Sequence, residues 1–456
     1  MMKRIASLAI LLAVVAMSLN AQAKPGGVAR MISMGGAVAG NNIAVNPFIF
    51  SDPAWQLVNP AYATMYKDYI WSNIANANGY GNQFSGVNFG LSKEWAIGAV
   101  LSYDPSATQA LYRPGILPAP YNNGLLATFI GNVFPARPAN PAGSSNALPP
   151  VEVFEVFTAF HMGTLDLGFG VMYGWANSDT KSTVAAGTSE ASVSANVLGF
   201  RAGVIVDLSG GSALEGSAAL RLDKAKDKLT DPTAGTSEFS ASGTEIQATA
   251  RLKLKMSNRV NFVPYAGFQT LSGEPKEDGV PTGRTATTAS LKLTNTNMIF
   301  GAGAEYRTST FYLAGGLSFA SLKAKAEANP GTPGVAGTTN TTTYTNFPLF
   351  NLGTEWQFTD WLAGRLGYYR TFQNTNTKSE PPTPAATTES NVFGGISNVA
   401  IGGFNDDNLV TLGLGFKFGA FALDATVSEN ALRSALGLIG SATNTFGYMT
   451  ASYNFE

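Results

Sequence analysis

Apolar and polar residues alternate along most of this chain, and the alternating segments come in pairs. Between about Tyr69 and Phe455 the pairs close through turns of four residues or fewer, such as Ser257-Asn258, Thr308-Ser309 and Thr359-Asp360. After one short first loop, the pairs are separated by stretches of roughly 15 to 45 residues rich in Ser, Thr, Gly and Pro. A soluble all-β protein has no reason to put every long connection on one side. A transmembrane barrel has one: its periplasmic turns are short, its extracellular loops long, and its strands about ten residues. The pattern predicts an all-β, antiparallel transmembrane barrel in the bacterial outer membrane, with the tight turns facing the periplasm.

About 16 segments read as strands, near 68–75, 83–91, 94–103, 151–161, 164–176, 193–207, 212–222, 243–256, 259–270, 291–307, 310–322, 345–358, 361–372, 408–418, 420–428 and 445–455. Fourteen strands is the alternative, if one hairpin is miscounted. In 243–256, Glu245, Gln247, Thr249, Arg251, Lys253 and Lys255 alternate with Ile246, Ala248, Ala250, Leu252, Leu254 and Met256. A period of two places the polar members on one face, and with lipid outside that face is the lumen or the extracellular rim. The stretches 104–150, 177–192, 223–242, 271–290, 323–344, 373–407 and 429–444 read as loops, with Gly337–Thr343 and Pro381–Thr388 solvated and disordered. Trp71, Trp95, Trp175, Trp356 and Trp361 fall within strands or at their ends, where an interfacial aromatic girdle sits.

The N-terminus changes this picture. Lys3 and Arg4, the apolar run Ile5 to Leu19 and Ala21-Gln22-Ala23 form the three parts of a secretory signal, residues 1–23. Residues 24–65 then lack sustained alternation and allow one helical turn, around Ile32–Val38 or Trp55–Tyr66. Yet they carry Met31, Ile32, Met34, Phe48, Ile49, Phe50 and Trp55, too much apolar surface for a free tail. The lumen of the barrel formed by 66–456 is the available place to bury them, so 24–65 reads as a plug.

Composition agrees. Charged residues make up 13% of the chain, against about 25% in soluble domains, as expected where a lipid face excludes them. Zero cysteines rule out a disulfide framework and thiol chemistry. Without Lys3 and Arg4 the count is 27 basic (29 − 2) against 30 acidic residues, which gives no hint of nucleic-acid binding.

Ala29-Arg30-Met31-Ile32-Ser33-Met34-Gly35-Gly36-Ala37 resembles the Gly-rich opening segment of the FadL/TodX-like outer-membrane transporters of long-chain fatty acids and aromatic hydrocarbons. Asn59-Pro60-Ala61, some twenty residues later, is similar to that family's Asn-Pro-Ala motif just before the first strand. The resemblance implies a 14-stranded barrel blocked by an N-terminal hatch, and a kinked third strand opening a lateral gap. The chain departs from the pattern in its higher strand count and in ending Tyr453-Asn454-Phe455-Glu456, one acid beyond the customary terminal aromatic.

No catalytic constellation is visible. His161 is the single histidine, beside a turn, and reads as a solvated strand-end residue. Asp406-Asp407 supplies too few ligands for a cation cage, and Gly301-Ala302-Gly303 and Gly413-Leu414-Gly415 lie inside strands, where packing explains them. No enzyme activity, cofactor or metal is expected. The predicted function is passive uptake of a hydrophobic small molecule, with a general diffusion porin or a structural or secretion-associated barrel as the alternatives. Gly35, Gly36, Asn59, Pro60 and Ala61 are the plug and gate candidates. Arg201, Arg221, Arg251, Lys253 and Arg365 share the lumen parity and suit a carboxylate-bearing ligand. Pairing with Glu215, Glu245, Glu305 and Glu355 is the simpler role for them. The expected partners are outer-membrane lipid, the hydrophobic ligand and, during biogenesis, the barrel-assembly machinery.

Overall fold

A computed structural model describes residues 26–35, 38–39, 42–44, 52–75, 83–104, 114–115, 151–184, 187–232, 235–279, 290–329, 337–380, 388–394, 408–427 and 446–455. The expected signal peptide, Gly36, Phe48–Phe50, Asp406-Asp407, 429–444 and nearly all of the loop 104–150 lie outside them.

The alternating segments close into one antiparallel barrel. Its strands are β1 (Tyr69–Ala75), β2 (Gln83–Gly90), β3 (Trp95–Asp104), β4 (Val151–Met162), β5 (Leu165–Val184), β6 (Gly187–Asp207), β7 (Ala213–Asp231) and β8 (Gly235–Lys255). They continue as β9 (Val260–Gly279), β10 (Ser290–Arg307), β11 (Phe311–Asn329), β12 (Thr338–Gln357) and β13 (Leu362–Glu380). The next position, β14, is shared by two pieces, Thr388–Gly394 and Asn408–Phe418, both antiparallel to β13. β15 (Phe421–Val427) and β16 (Phe446–Asn454) complete the ring, and β16 pairs with β1. That makes 16 strand positions, not the alternative 14, so all tight turns and both barrel ends share one rim. A separate small sheet joins Val38–Ala39 to Asn42–Ala44, and Asn42–Ala44 to Pro114–Gly115.

Period-two patterning sorts the side chains as expected. On β5 and β6, Phe169, Val171, Tyr173, Leu198 and Phe200 are exposed on the outside, while Gly168, Gly170, Arg201 and Gly203 are buried inside. Phe154, Ile246, Phe268, Phe300, Leu317 and Leu366 extend the exposed apolar band around the ring. Such a band on a closed barrel is the surface of a membrane-spanning barrel of the outer-membrane type. Trp95, Trp175, Trp356 and Trp361 stand in it, exposed as a girdle requires, but Trp71 does not: it is buried and faces the lumen.

The strands depart from expectation in length. β5 to β13 run 18 to 21 residues each, so most of the stretches read as loops at 177–192, 223–242, 271–290 and 323–344, and part of 373–407, continue the ladder. Thr338–Thr343, read as disordered, is strand paired with β11 and β13. At about 3.3 Å per residue and a tilt of about 45°, 20 residues rise roughly 47 Å, well past a band about 25 Å tall. Beyond the band both faces meet water, so the amphipathic alternation fades although Thr-rich sequence still favours extended backbone.

A candidate gate inside the barrel

Two pieces of the N-terminal segment are buried inside the barrel. The first is a helix, α1 (Val28–Ser33), which ends at Gly35 with φ +79, a left-handed turn that suits glycine. The second is a pair of 3₁₀ turns, Pro53–Leu57 and Pro60–Thr64. Of the two ranges offered for one helical turn, Ile32–Val38 or Trp55–Tyr66, α1 overlaps the first at Ile32 and Ser33, and both 3₁₀ turns overlap the second. Met31, Ile32, Met34, Trp55, Ala61 and Tyr62 are all buried, as their apolar content required. α1 packs against β13 to β16, and the second 3₁₀ turn against β3 to β6, so the segment touches two separated arcs of the wall.

The motif residues do specific work at those contacts. The Asn59 side chain accepts from the Ala61 amide at 3.0 Å, capping its turn. Its amide nitrogen donates to the backbone carbonyls of Val204 and Gly216 at 3.1 and 3.2 Å, which ties the turn to β6 and β7. A Cβ at Gly203 would collide with Asn59, and one at Gly168 with the Pro60–Ala61 backbone. On the opposite arc, a Cβ at Gly353 would strike Met34 and one at Gly367 would strike Gly35. Inward-facing glycines of the wall are therefore the seats of Gly35 and of Asn59-Pro60-Ala61.

Charge holds the same pieces. Arg30 bonds Asp52 at 2.8 Å and Glu355 at 2.9 Å, and Arg365 bonds Glu355 and Asp424, both at 2.6 Å. The backbone amides of Gly26 and Gly27 donate to Asp424 and Asp52 at 3.0 and 2.9 Å. Tyr62 donates to Glu215 at 2.8 Å, and burial pushes its hydroxyl well above the ordinary range, so it stays protonated. Arg251 bonds Glu215 and Tyr62 and lies over the Trp55 ring at 3.9 Å. Arg201 pairs with Glu155 at 2.8 Å and reaches the Leu57 carbonyl, while Arg221 pairs with Asp223 at 2.9 Å and Glu245 at 3.3 Å.

Three of the four acids thus act as expected for pairing, with Glu215, Glu245 and Glu355 on Arg251, Arg221 and Arg365. Glu305 instead accepts from Asn261 and Tyr312. Sequence reasoning missed Arg30, Asp52, Glu155, Asp223 and Asp424. Only Arg30 carried a signal, as the one charge in the Gly-rich segment. His161 is half exposed and 2.9 Å from Asp166, and Gly413 packs against Ser33.

These contacts lie in the half of the bore next to the tight turns. In the loop half, β4 to β7 present a different inner wall: Val153, Met172, Val193, Ala195, Val197 and Ala225 form one buried apolar cluster. A cavity of about 30 Å³ sits at the junction, among Leu57, Val58, Met172, Arg201, Arg221 and Glu245. A larger one of about 270 Å³ lies at the tight-turn mouth, lined by Tyr62, Met65, Ile205, Asp207, Glu215 and Lys253.

No protein-family model matches the chain, and no curated protein matches it in sequence. Among solved structures it is similar to a Pseudomonas aeruginosa FadL homologue, at 11% identity over 96% of this chain and 100% of that one, with a TM-score of 0.43. It is also similar to the toluene transporter TbuX of Ralstonia pickettii, at 9% identity, 96% and 100% coverage and a TM-score of 0.37. The ferric yersiniabactin uptake receptor FyuA of Yersinia pestis matches at 9% identity, 84% and 79% coverage and a TM-score of 0.34. At these values the likeness is one of barrel to barrel.

Proposed function

We propose that this protein is a passive transporter of the bacterial outer membrane for a hydrophobic small molecule, such as a long-chain fatty acid or an aromatic hydrocarbon. The N-terminal segment, residues 24–65, is its plug. The observation that carries this reading is the apolar inner wall of β4–β7, stacked above a segment that is bonded to two arcs of the bore. An aqueous channel is served by a polar lumen, whereas an apolar wall offers a ligand burial worth about 25 cal/mol per Å². All five cation candidates have interaction partners within the bore. Lys253 borders the larger cavity and is the candidate best placed to meet a ligand head group on its way to the periplasm.

Purified protein titrated with lauric acid and with toluene tests the reading, alongside conductance in planar bilayers. Saturable binding of either ligand, with low basal conductance, supports it. Large steady conductance with no binding of either would replace it with a diffusion porin.

A further inference from the structure

The outer face of β7 carries an unusual row. Its outward positions run Leu220, Leu222, Lys224, Lys226 and Lys228, all exposed. Successive outward side chains on a strand stand about 6.6 Å apart, so three ammonium groups follow in line directly after the apolar belt. Register gives their depth. Lys224 lies across from Asn196 on β6 and Ser242 on β8, and Asn196 lies across from Trp175 on β5. Trp175 stacks on Tyr173 with centroids 5.6 Å apart, and the Tyr173 hydroxyl donates to Asn196 at 3.3 Å. Exposed aromatics of this kind sit at headgroup level. Two strand steps of about 4.8 Å at a tilt of about 45° put Lys224 within roughly 7 Å of that level, and Lys226 and Lys228 follow it toward the loop rim.

Other lysines of the outer face are matched by acids. Lys181 pairs with Glu190, Lys325 with Glu327 and Lys378 with Glu380, at 2.6, 2.6 and 2.5 Å. Lys323 is exposed and lies between Thr296 and Thr343, but it stands singly. On β7 three lysines face two flanking acids: Glu238 of β8, 2.6 Å from Lys226 and across from Lys228, and Glu190 of β6, across from Thr230 beside Lys228 and already paired with Lys181. The flanks of the row are Ser192, Ser194 and Asn196 on β6, with Ser240 and Ser242 on β8. These short side chains leave the ammonium groups standing over a shelf of hydroxyl and amide hydrogen-bonding groups.

We propose that this face of β7 is a binding site for a phosphate-bearing lipid headgroup of the outer leaflet. The lysines take the phosphate, the Ser and Asn shelf takes sugar or ester oxygens, and Leu220 and Leu222 lie along the acyl chains below. A free anion would have no use for the leucines or for the depth set by Trp175. The site rests on the membrane-spanning barrel and not on the transport reading, so either can fail alone.

The test is lipid retention. Wild type and a Lys224→Gln/Lys226→Gln/Lys228→Gln variant are reconstituted in phosphatidylethanolamine vesicles containing either bis-phosphorylated or dephosphorylated lipid A. They are then extracted, and co-purifying lipid is quantified by mass spectrometry. Heat-modifiable gel migration shows that each barrel is folded, and Lys323→Gln is the single-lysine control. Three lysines near a charged surface predict a loss of phosphorylated lipid of at least about tenfold in the triple variant, with Lys323→Gln unchanged. Dephosphorylated lipid should be retained weakly by every protein. Equal retention by wild type and triple variant, or equal retention of the two lipids, would overturn the proposal. Displacement of the lipid by millimolar inorganic phosphate would overturn the lipid assignment in favour of a small-anion site.

Discussion

The two halves of the bore are built from the same strands yet solve different problems. In the tight-turn half, Glu155, Arg201, Glu215, Arg251, Arg365 and Asp424 are buried, Glu355 is half-buried, and all are bonded to one another or to residues 26–62. In the loop half, β4 to β7 turn valine, alanine and methionine inward. A buried charge is costly unless paired and hydrogen-bonded. The arginines of the first half are therefore committed to holding the N-terminal segment in place, since the partners they would leave are themselves buried. In the second half Asp223, across from Val197, is also buried and paired with Arg221, but the valines, alanines and methionine around it can accept an apolar guest. Charge in a barrel lumen is thus not by itself a sign of a charged ligand.

The sharpest way to break this division is at the glycine seats. Gly203→Leu places a side chain where the Asn59 amide and the Pro60 ring sit, and should displace the segment from the wall. Residues 26–62 should become cleavable by added protease while the barrel keeps its heat-modifiable migration, and single-channel conductance should rise by at least about tenfold if the segment is the plug. Overpacking of this kind costs on the order of 1–3 kcal/mol where neighbours can move. Here the neighbour is a capped turn bonded to two strands. Gly199→Leu, which would meet the flexible Met172 side chain instead, should leave the segment protected.

Removing one charge should have the next largest effect. Arg30→Met leaves Asp52 and Glu355 without that cation, and breaking a buried pair costs about 3–5 kcal/mol. The expected value lies near the lower end, because Glu355 keeps Arg365. Urea-dependent protease protection of the segment measures it, and an unchanged midpoint would show that α1 is held by packing alone.

Val197→Ser sharpens the comparison from the other side. It puts a hydroxyl into the apolar wall and should weaken binding of an apolar ligand several-fold, with a stability cost of about 1–2 kcal/mol. Binding that is unchanged in Val197→Ser would move the ligand path away from β4–β7. Smallest of all is Lys181→Ala. Its pair with Glu190, at 2.6 Å, is as short as the pairs of Arg365 with Glu355 and Asp424 inside the bore, but both groups stand in solvent, where ion pairs contribute little. No shift in thermal midpoint is expected, which separates short distance from energetic weight.

Sixteen segments were legible because a lipid face and a lumen face impose a period of two, and the turn-and-loop asymmetry set their order along the ring. Carboxylate partners for Arg221, Arg251 and Arg365 were also legible, since they share the lumen parity. Parity could not say that Arg201 meets Glu155 or that Asp424 meets Arg365, because those pairs depend on register across separate hairpins. It also could not place Trp71: an indole near a strand end suits a girdle or a lumen equally well until the facing residues are known. The polar halves of β5 to β13 escaped because sequence alternation marks a strand only where its two faces meet different solvents.

What the sequence determined by itself is the membrane-spanning barrel and the burial of an apolar N-terminal segment. Both follow from local rules: hydrophobic period, turn chemistry and the cost of exposing Met31, Ile32, Met34 and Trp55 to water. Tertiary structure alone decided where that segment sits. Gly168, Gly203, Gly353 and Gly367 are ordinary strand glycines in one dimension. They become seats only when closure of the ring brings β5, β6, β12 and β13 around Asn59-Pro60-Ala61 and Gly35, so that a missing Cβ leaves room for another backbone or, at Gly203, for the Asn59 side chain.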